Sequence, residues 1–126
     1  MLAIDSAQPW ALNNLAWLLR ESNAKRALKL AQQALTLAPD SPAVLDTLGT
    51  LALAAGQSDE ALKHLREASR LSPETPEIRL HLARALLASD APEEALSVLA
   101  GIAADGLPDL LRAEFEALEV EIERAL

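Results

Sequence analysis

ALTLAPDSPAVLDTLGTLALAAGQSDEALKHLREASRLSPETPEIRLHLARALL, residues 34–87, contains one and a half copies of the same unit. Pro39 stands against Pro73, Pro42 against Pro76, Leu48 against Leu82, Ala61 against Ala95 and Leu65 against Leu99, each at a spacing of 34. Toward the N-terminus, Ala27 precedes Ala61 by 34, but Leu15 and Ala16 precede Leu48 and Gly49 by 33. The first copy is therefore one residue short in its internal turn, ESNAK around Asn23. A period of roughly 20–50 residues marks a chain built from stacked supersecondary units, none of which buries its apolar face alone.

Within the middle copy the pattern predicts two helices. Ser41 is placed to cap, and Pro42 suits the first helical position, where its missing N–H is not needed. Leu45, Leu48, Ala52 and Ala55 then form one stripe, which Gly56 ends. Ser58 restarts a helix, and Asp59 and Glu60 favour the positive end of its dipole. Ala61, Leu62, Leu65, Ala68 and Leu71 line its apolar face before Pro73. Repeating this unit places helices near 9–21, 24–37, 42–55, 58–71, 76–89 and 92–103.

Composition agrees with an all-α chain. Of 126 residues 51% are AVILMFWYC but only 2% are aromatic, namely Trp10, Trp17 and Phe115, which favours helices and starves sheets. Eleven Lys and Arg against nineteen Asp and Glu give a net charge of −8, so there is no basic stripe to hold nucleic acid or an anionic membrane surface. The absence of cysteine removes disulfides, thiolate zinc sites and thiol nucleophiles. No apolar run reaches the roughly 20 residues of a membrane span, and MLAIDSAQ lacks the basic and apolar regions of a secretory signal.

The pattern W-x2-L-G-x2-Y, then A-x3-F, then P at a 34-residue period is the tetratricopeptide signature, and this chain resembles that family. The middle copy carries Leu45, Leu48, Gly49, Ala52, Ala61, Leu65 and Pro73. The first has Leu12, Leu15, Ala16, Leu19, Ala27, Ala31 and Pro39; the third has Arg79, Leu82, Ala83, Leu86, Ala95, Leu99 and, one residue late, Pro108. No copy has the Trp or the Tyr. The resemblance implies an α-α superhelix of three hairpins, residues 9–41, 42–75 and 76–108. Small residues at Ala16, Gly49 and Ala83 permit close helix approach.

The ends differ. Shifted by 33, Ile4 falls on Leu37 and Pro9 on Pro42, so residues 1–8 are expected to be the tail of an earlier copy, and the chain the C-terminal piece of a longer array. Residues 109–126 place Leu111, Phe115, Leu118 and Ile122 on one stripe opposite Glu114, Glu116, Glu119, Glu121 and Glu123. This is the pattern of a capping helix, with an acidic partner-binding helix as the competing reading. PWALNNLAWLL, AQQALTLAPDSPAVLDTLG and TPEIRLHLARALL also resemble the C-terminal repeats of bacterial tetratricopeptide lipoproteins of PEP-CTERM and exosortase sorting systems. Arrays of other envelope export systems resemble them nearly as well. The finer resemblance implies a lipid-anchored envelope protein; without it, a bacterial cytoplasmic scaffold is the default.

No catalytic constellation is visible. His64 and His81 read as isolated surface or edge residues, and Glu pairs at 59/60 and 93/94 are explained as helix starts. There is no phosphate loop, dinucleotide fingerprint or nucleophile elbow. The expectation is a non-enzymatic chain with no cofactor and no metal.

Resemblance to the family implies a concave wall built by the first helix of each copy. Its inner residues would be Trp10, Asn13, Trp17 and Arg20, then Asp46, Thr50 and Leu53, then Glu77, Leu80, Arg84 and Leu87. Trp10, Asn13, Trp17, Asp46, Thr50 and Arg84 are the candidate peptide-binding groove. The two Trp rings, seven residues apart, either anchor a ligand or pack on a preceding copy. Chaperone-binding members of the family clamp a C-terminal carboxylate with Lys, Asn and Arg; Asp46 and Glu77 would repel such an end, so no carboxylate clamp is expected. The implied partner is a protein or peptide segment, the alternative being a homo-oligomer formed through the exposed first-repeat face.

Overall fold

The computed structural model describes residues 8–126, and the segment read above as the tail of an earlier copy lies outside them except for Gln8. Seven α-helices follow in order among the described residues: α1 (Pro9–Leu19), α2 (Ala24–Leu37), α3 (Pro42–Ala54), α4 (Ser58–Leu71), α5 (Pro76–Ala88), α6 (Pro92–Ala100) and α7 (Asp109–Ala125), with a single 3-10 turn at Ala104–Gly106 before α7. No strand occurs among them. None of the helices is long and apolar enough to cross a membrane.

Local chemistry explains the starts and stops. Pro9, Pro42, Pro76 and Pro92 each open a helix where no N–H is required. Ser41 Oγ accepts from Val44 N at 3.3 Å, the cap expected for α3. α3 closes on Gly56, whose φ of 79° sets the left-handed turn, with Gln57 N donating to Ala52 O at 2.9 Å and Gly56 N to Leu53 O at 3.0 Å. α5 closes with the same pair of bonds, Ala91 N to Leu86 O and Asp90 N to Leu87 O, but the left-handed residue is Asp90 at φ 65°. In the first hairpin α1 stops at Leu19, two residues before its expected end, and Asn23 caps α2 by accepting from Arg26 N at 3.3 Å.

The helices stack as three hairpins. α1 packs on α2, α3 on α4 and α5 on α6, while α2 meets α3, α4 meets α5 and α6 meets α7. Across hairpins, like touches like along the row of first helices, α1 with α3, α3 with α5 and α5 with α7. Closer approach on that side makes it the inner, concave side of the solenoid. α7 therefore occupies the place of a fourth first helix.

The core runs through the stack in three parts. Leu12, Ala16, Ala27, Leu30, Ala31 and Ala34 of the first hairpin enclose Val44, Leu48 and Leu51 of α3. Leu45, Ala68 and Ile78 join α3, α4 and α5. Leu65, Leu80, Leu82, Leu86 and Leu99 continue to Leu118 and Ile122 of α7, against which Leu111 and Phe115 also pack. Burying each such Leu or Ile contributes about 1.5–3 kcal/mol, which is why the lone α7 holds to the end of the stack. The stripe expected on this helix is thus turned inward, with its acidic face outward.

The larger departure from the spacing lies in the third hairpin. α6 ends at Ala100, not near residue 103, on the C-cap Gly101, where Arg79 stands in the position filled by Leu12 and Leu45 in the earlier copies. Its Nη2 donates to Val98 O at 3.0 Å. A Cβ at Gly101 would stand 2.2 Å from that same nitrogen, so glycine leaves room for the guanidinium as the helix ends.

Candidate functional site

The inner wall is formed by α1, α3 and α5, and its centre is a cluster drawn from all three. Asp46 on α3 and His81 on α5 meet at 2.7 Å, Oδ1 to Nδ1, with both side chains mostly buried. The carboxylate is an acceptor, so Nδ1 donates. Trp17 on α1 lies across the same imidazole, its ring centroid 6.5 Å away and tilted by 43°. Arg20, one turn further on, lies 4.1 Å over the indole and donates from Nη1 to Trp17 O at 2.8 Å. An indole bracketed by a guanidinium and an imidazole is held in one orientation, with part of its surface open to the groove.

Two polar atoms on the same wall have no partner. Asn13 Oδ1 on α1 and Thr50 Oγ1 on α3 are buried without a hydrogen bond. A buried, unmade hydrogen bond costs about 1–3 kcal/mol, so these two atoms are weak points of the packing beneath the wall. Arg84 on α5 reaches Glu114 on α7 at 3.4 Å, a solvent-exposed pair that contributes little to stability but reduces the free positive charge of the wall. Trp10, 66% exposed, points into solvent at the mouth of α1.

Of the expected groove residues, Trp17 and Asp46 are therefore linked through His81, while Asn13 and Thr50 share their wall. Arg84 is drawn aside by Glu114, and Trp10 lies apart from the cluster. Two sequence readings need correction. Leu80 is only 1% exposed, packed into the core with Leu118 and Ile122, because α7 covers the helix face that is open in earlier copies. His81, taken as an isolated surface or edge residue, is a member of the wall with an acidic partner. The signal was present as the Asp46-to-His81 spacing of 35, one repeat plus one residue, which juxtaposes positions on adjacent first helices. His64 sits on α4 with a side chain 17% exposed, Nε2 3.6 Å from Glu60 Oε1; burial pushes its imidazole below the ordinary histidine range against the opposing pull of Glu60. No group of three or more His, Cys, Asp or Glu side chains able to hold a metal occurs among the described residues.

No curated protein matches the chain. The Yersinia enterocolitica type III secretion translocator chaperone SycD is 24% identical, with 92% of each chain covered and a TM-score of 0.79 in its alternative dimer. The same chaperone in complex with a peptide of the translocator YopD matches at 24% identity and a TM-score of 0.76, with 90% of each chain covered. The TPR2B domain of yeast Sti1, in a complex with pHsp70, is 15% identical and covers 91% of this chain and 98% of its own at a TM-score of 0.71. At these identities the likeness is one of fold. The tetratricopeptide repeat family model matches residues 18–65 and 52–113, and the chain belongs to the tetratricopeptide repeat family.

Proposed function

We propose that this chain is a non-enzymatic interaction scaffold whose concave wall receives an extended or helical protein segment. The observation that carries the reading is the convergence of Trp17, Asp46 and His81 from three successive first helices, beside the unpartnered Asn13 Oδ1 and Thr50 Oγ1. The wall is preorganised: its aromatic anchor is already held by Arg20 and His81, so binding immobilises little of the receptor. Its committed charges point to a largely neutral segment that offers an apolar side chain to Trp17. SycD, solved with a peptide of the translocator YopD, and the TPR2B domain of Sti1, solved in a pHsp70 complex, share this fold, which supports a binding role.

The finer reading is a piece of a longer bacterial protein of envelope or exopolysaccharide-linked protein sorting, as the resemblance to PEP-CTERM-associated lipoproteins suggests. Its test is the leader of the full gene, where a lipoprotein signal is expected and a leaderless start would remove it.

The groove reading is tested by selecting peptides on the chain and titrating the best binder calorimetrically. Trp17→Ala is expected to weaken binding by more than about 1 kcal/mol, as truncating an aromatic anchor does. Because Trp17 belongs to none of the buried core clusters, the variant should remain folded, which circular dichroism checks. Unchanged affinity in a folded variant overturns the assignment.

A further inference from the structure

The repeat supplies an internal ruler for the first hairpin. Positions one copy apart share a place in the fold, so Leu15 corresponds to Leu48 and Leu82, and Leu18 to Leu51 and Ala85. In the second and third copies these positions are closed: Leu48 is 3% exposed, Leu82 6%, Leu51 6% and Ala85 0%. In the first copy Leu15 is 39% exposed and Leu18 73%. The sequence keeps a large apolar residue at both places, but nothing among the described residues covers them.

What covers them further along is always the second helix of the preceding hairpin. Leu48 and Leu51 of α3 share a core with Leu30, Ala31 and Ala34 of α2, and Leu82 and Ala85 of α5 share one with Ala61 and Leu65 of α4. We infer that the edge of α1 bearing Leu15 and Leu18 is an open stacking interface that takes the second helix of a further hairpin of this same repeat type, docked on the N-terminal side. The occupant is defined by continuity with the two interfaces already built: an amphipathic helix with an Ala-rich face like that of α2. This inference does not depend on the groove binding a peptide.

The test uses the full chain beside a version extended by a second copy of residues 9–41 placed directly before Pro9, each with and without Leu18→Asp in the original first hairpin. In a solenoid, stability adds through nearest-neighbour interfaces, so the extension is expected to raise the melting temperature by about 5 °C or more in a single transition. Leu18→Asp is expected to leave the unextended chain within about 1 °C and to remove most of the gain in the extended one. A separate transition for the added copy, or equal effects of Leu18→Asp in both chains, overturns the inference. Sedimentation of the unextended chain supplies the other arm: a concentration-dependent dimer abolished by Leu18→Asp would assign this edge to a second copy of the chain and likewise overturn it.

Discussion

The indole of Trp17 on α1 lies 6.5 Å from the imidazole of His81 on α5, ring centre to ring centre, although 64 residues separate them in sequence. Asp46 fixes that imidazole from α3 at 2.7 Å. One side chain from each hairpin thus ties the curvature of the wall to the orientation of its aromatic anchor. A double-mutant cycle on Asp46→Ala and His81→Ala should give a coupling of about 1 kcal/mol in denaturant unfolding, the scale of a partly buried hydrogen bond to a charged group. With Trp10→Phe leaving Trp17 as the only indole, His81→Ala should also shift its emission to the red as water reaches the uncovered ring. A coupling near zero with unchanged emission would leave the cluster without a positioning role.

Gly56 and Asp90 do the same work with different side chains. Both end a first helix in the left-handed region, at φ 79° and 65°, and only the glycine does so without strain. Asp90→Gly is therefore expected to stabilise the chain by about 0.5–1 kcal/mol, and Gly56→Ala to destabilise it by about 1 kcal/mol. Nothing lies within 4 Å of a Cβ built on Gly56, so the loss there is one of backbone conformation alone. Paired urea titrations check both signs, and a destabilised Asp90→Gly would mean that the aspartate makes up its strain elsewhere.

These outcomes also mark how far the sequence could be read. Pro39, Pro42, Pro73 and Pro76 recur with Leu48, Leu82, Leu65 and Leu99, so helix order and pairing follow from periodicity, and the structure follows them closely. The end of α6 was missed although Gly101, which follows its last residue and caps it, is a local stop signal; the Arg79 bond to Val98 O beside it joins residues 19 positions apart and could not be read locally. Trp17 and Asp46 were named as wall residues through the resemblance to the family. His81 was missed although its spacing of 35 from Asp46 was in the sequence, and Leu80, expected on the wall, is turned into the core one position away. Neither an orphaned atom such as Asn13 Oδ1 nor the diversion of Arg84 to Glu114 can be known before α7 is docked.

His64 gives the chain a pH dependence with a definite sign. Burial lowers its imidazole below the ordinary value of 6.5, Glu60 pulls the other way and Lys63 adds to the lowering. The unfolded chain, with an unperturbed histidine, then binds more protons than the folded one in the interval just below 6.5. This contribution to stability is complete above that value and is lost as the pH falls through the interval toward the lowered folded value. The difference in unfolding free energy between the parent and His64→Gln, measured from pH 7.5 down to about pH 5, should shrink on acidification as the parent alone is penalised. A difference that stays flat would show that the imidazole is solvated as freely in the folded chain as in the unfolded one.

Gly49 tests the closest helix contact in the second hairpin. A Cβ there would meet Leu65 Cγ at 2.5 Å and Cδ2 at 2.9 Å, and Leu65 is fully buried. Two effects oppose each other in Gly49→Ala: removing a glycine from the interior of α3 gains about 1 kcal/mol of helix propensity, while forcing an extra methyl against a packed leucine costs about 1–3 kcal/mol. Overpacking wins because Leu65 is enclosed by Ala52, Ala61 and the α5 residues and has no open side to move into. The loss is bounded by the third hairpin, where Ala83 and Leu99 hold the corresponding positions and both remain buried. Gly49→Ala should thus fold with an unchanged denaturant slope and lose about 1 kcal/mol, whereas Gly49→Leu, with no room for a branched chain, should lose several times that. A Gly49→Ala variant more stable than the parent would mean that α4 shifts at no cost, and that close approach at this position does not constrain the stack.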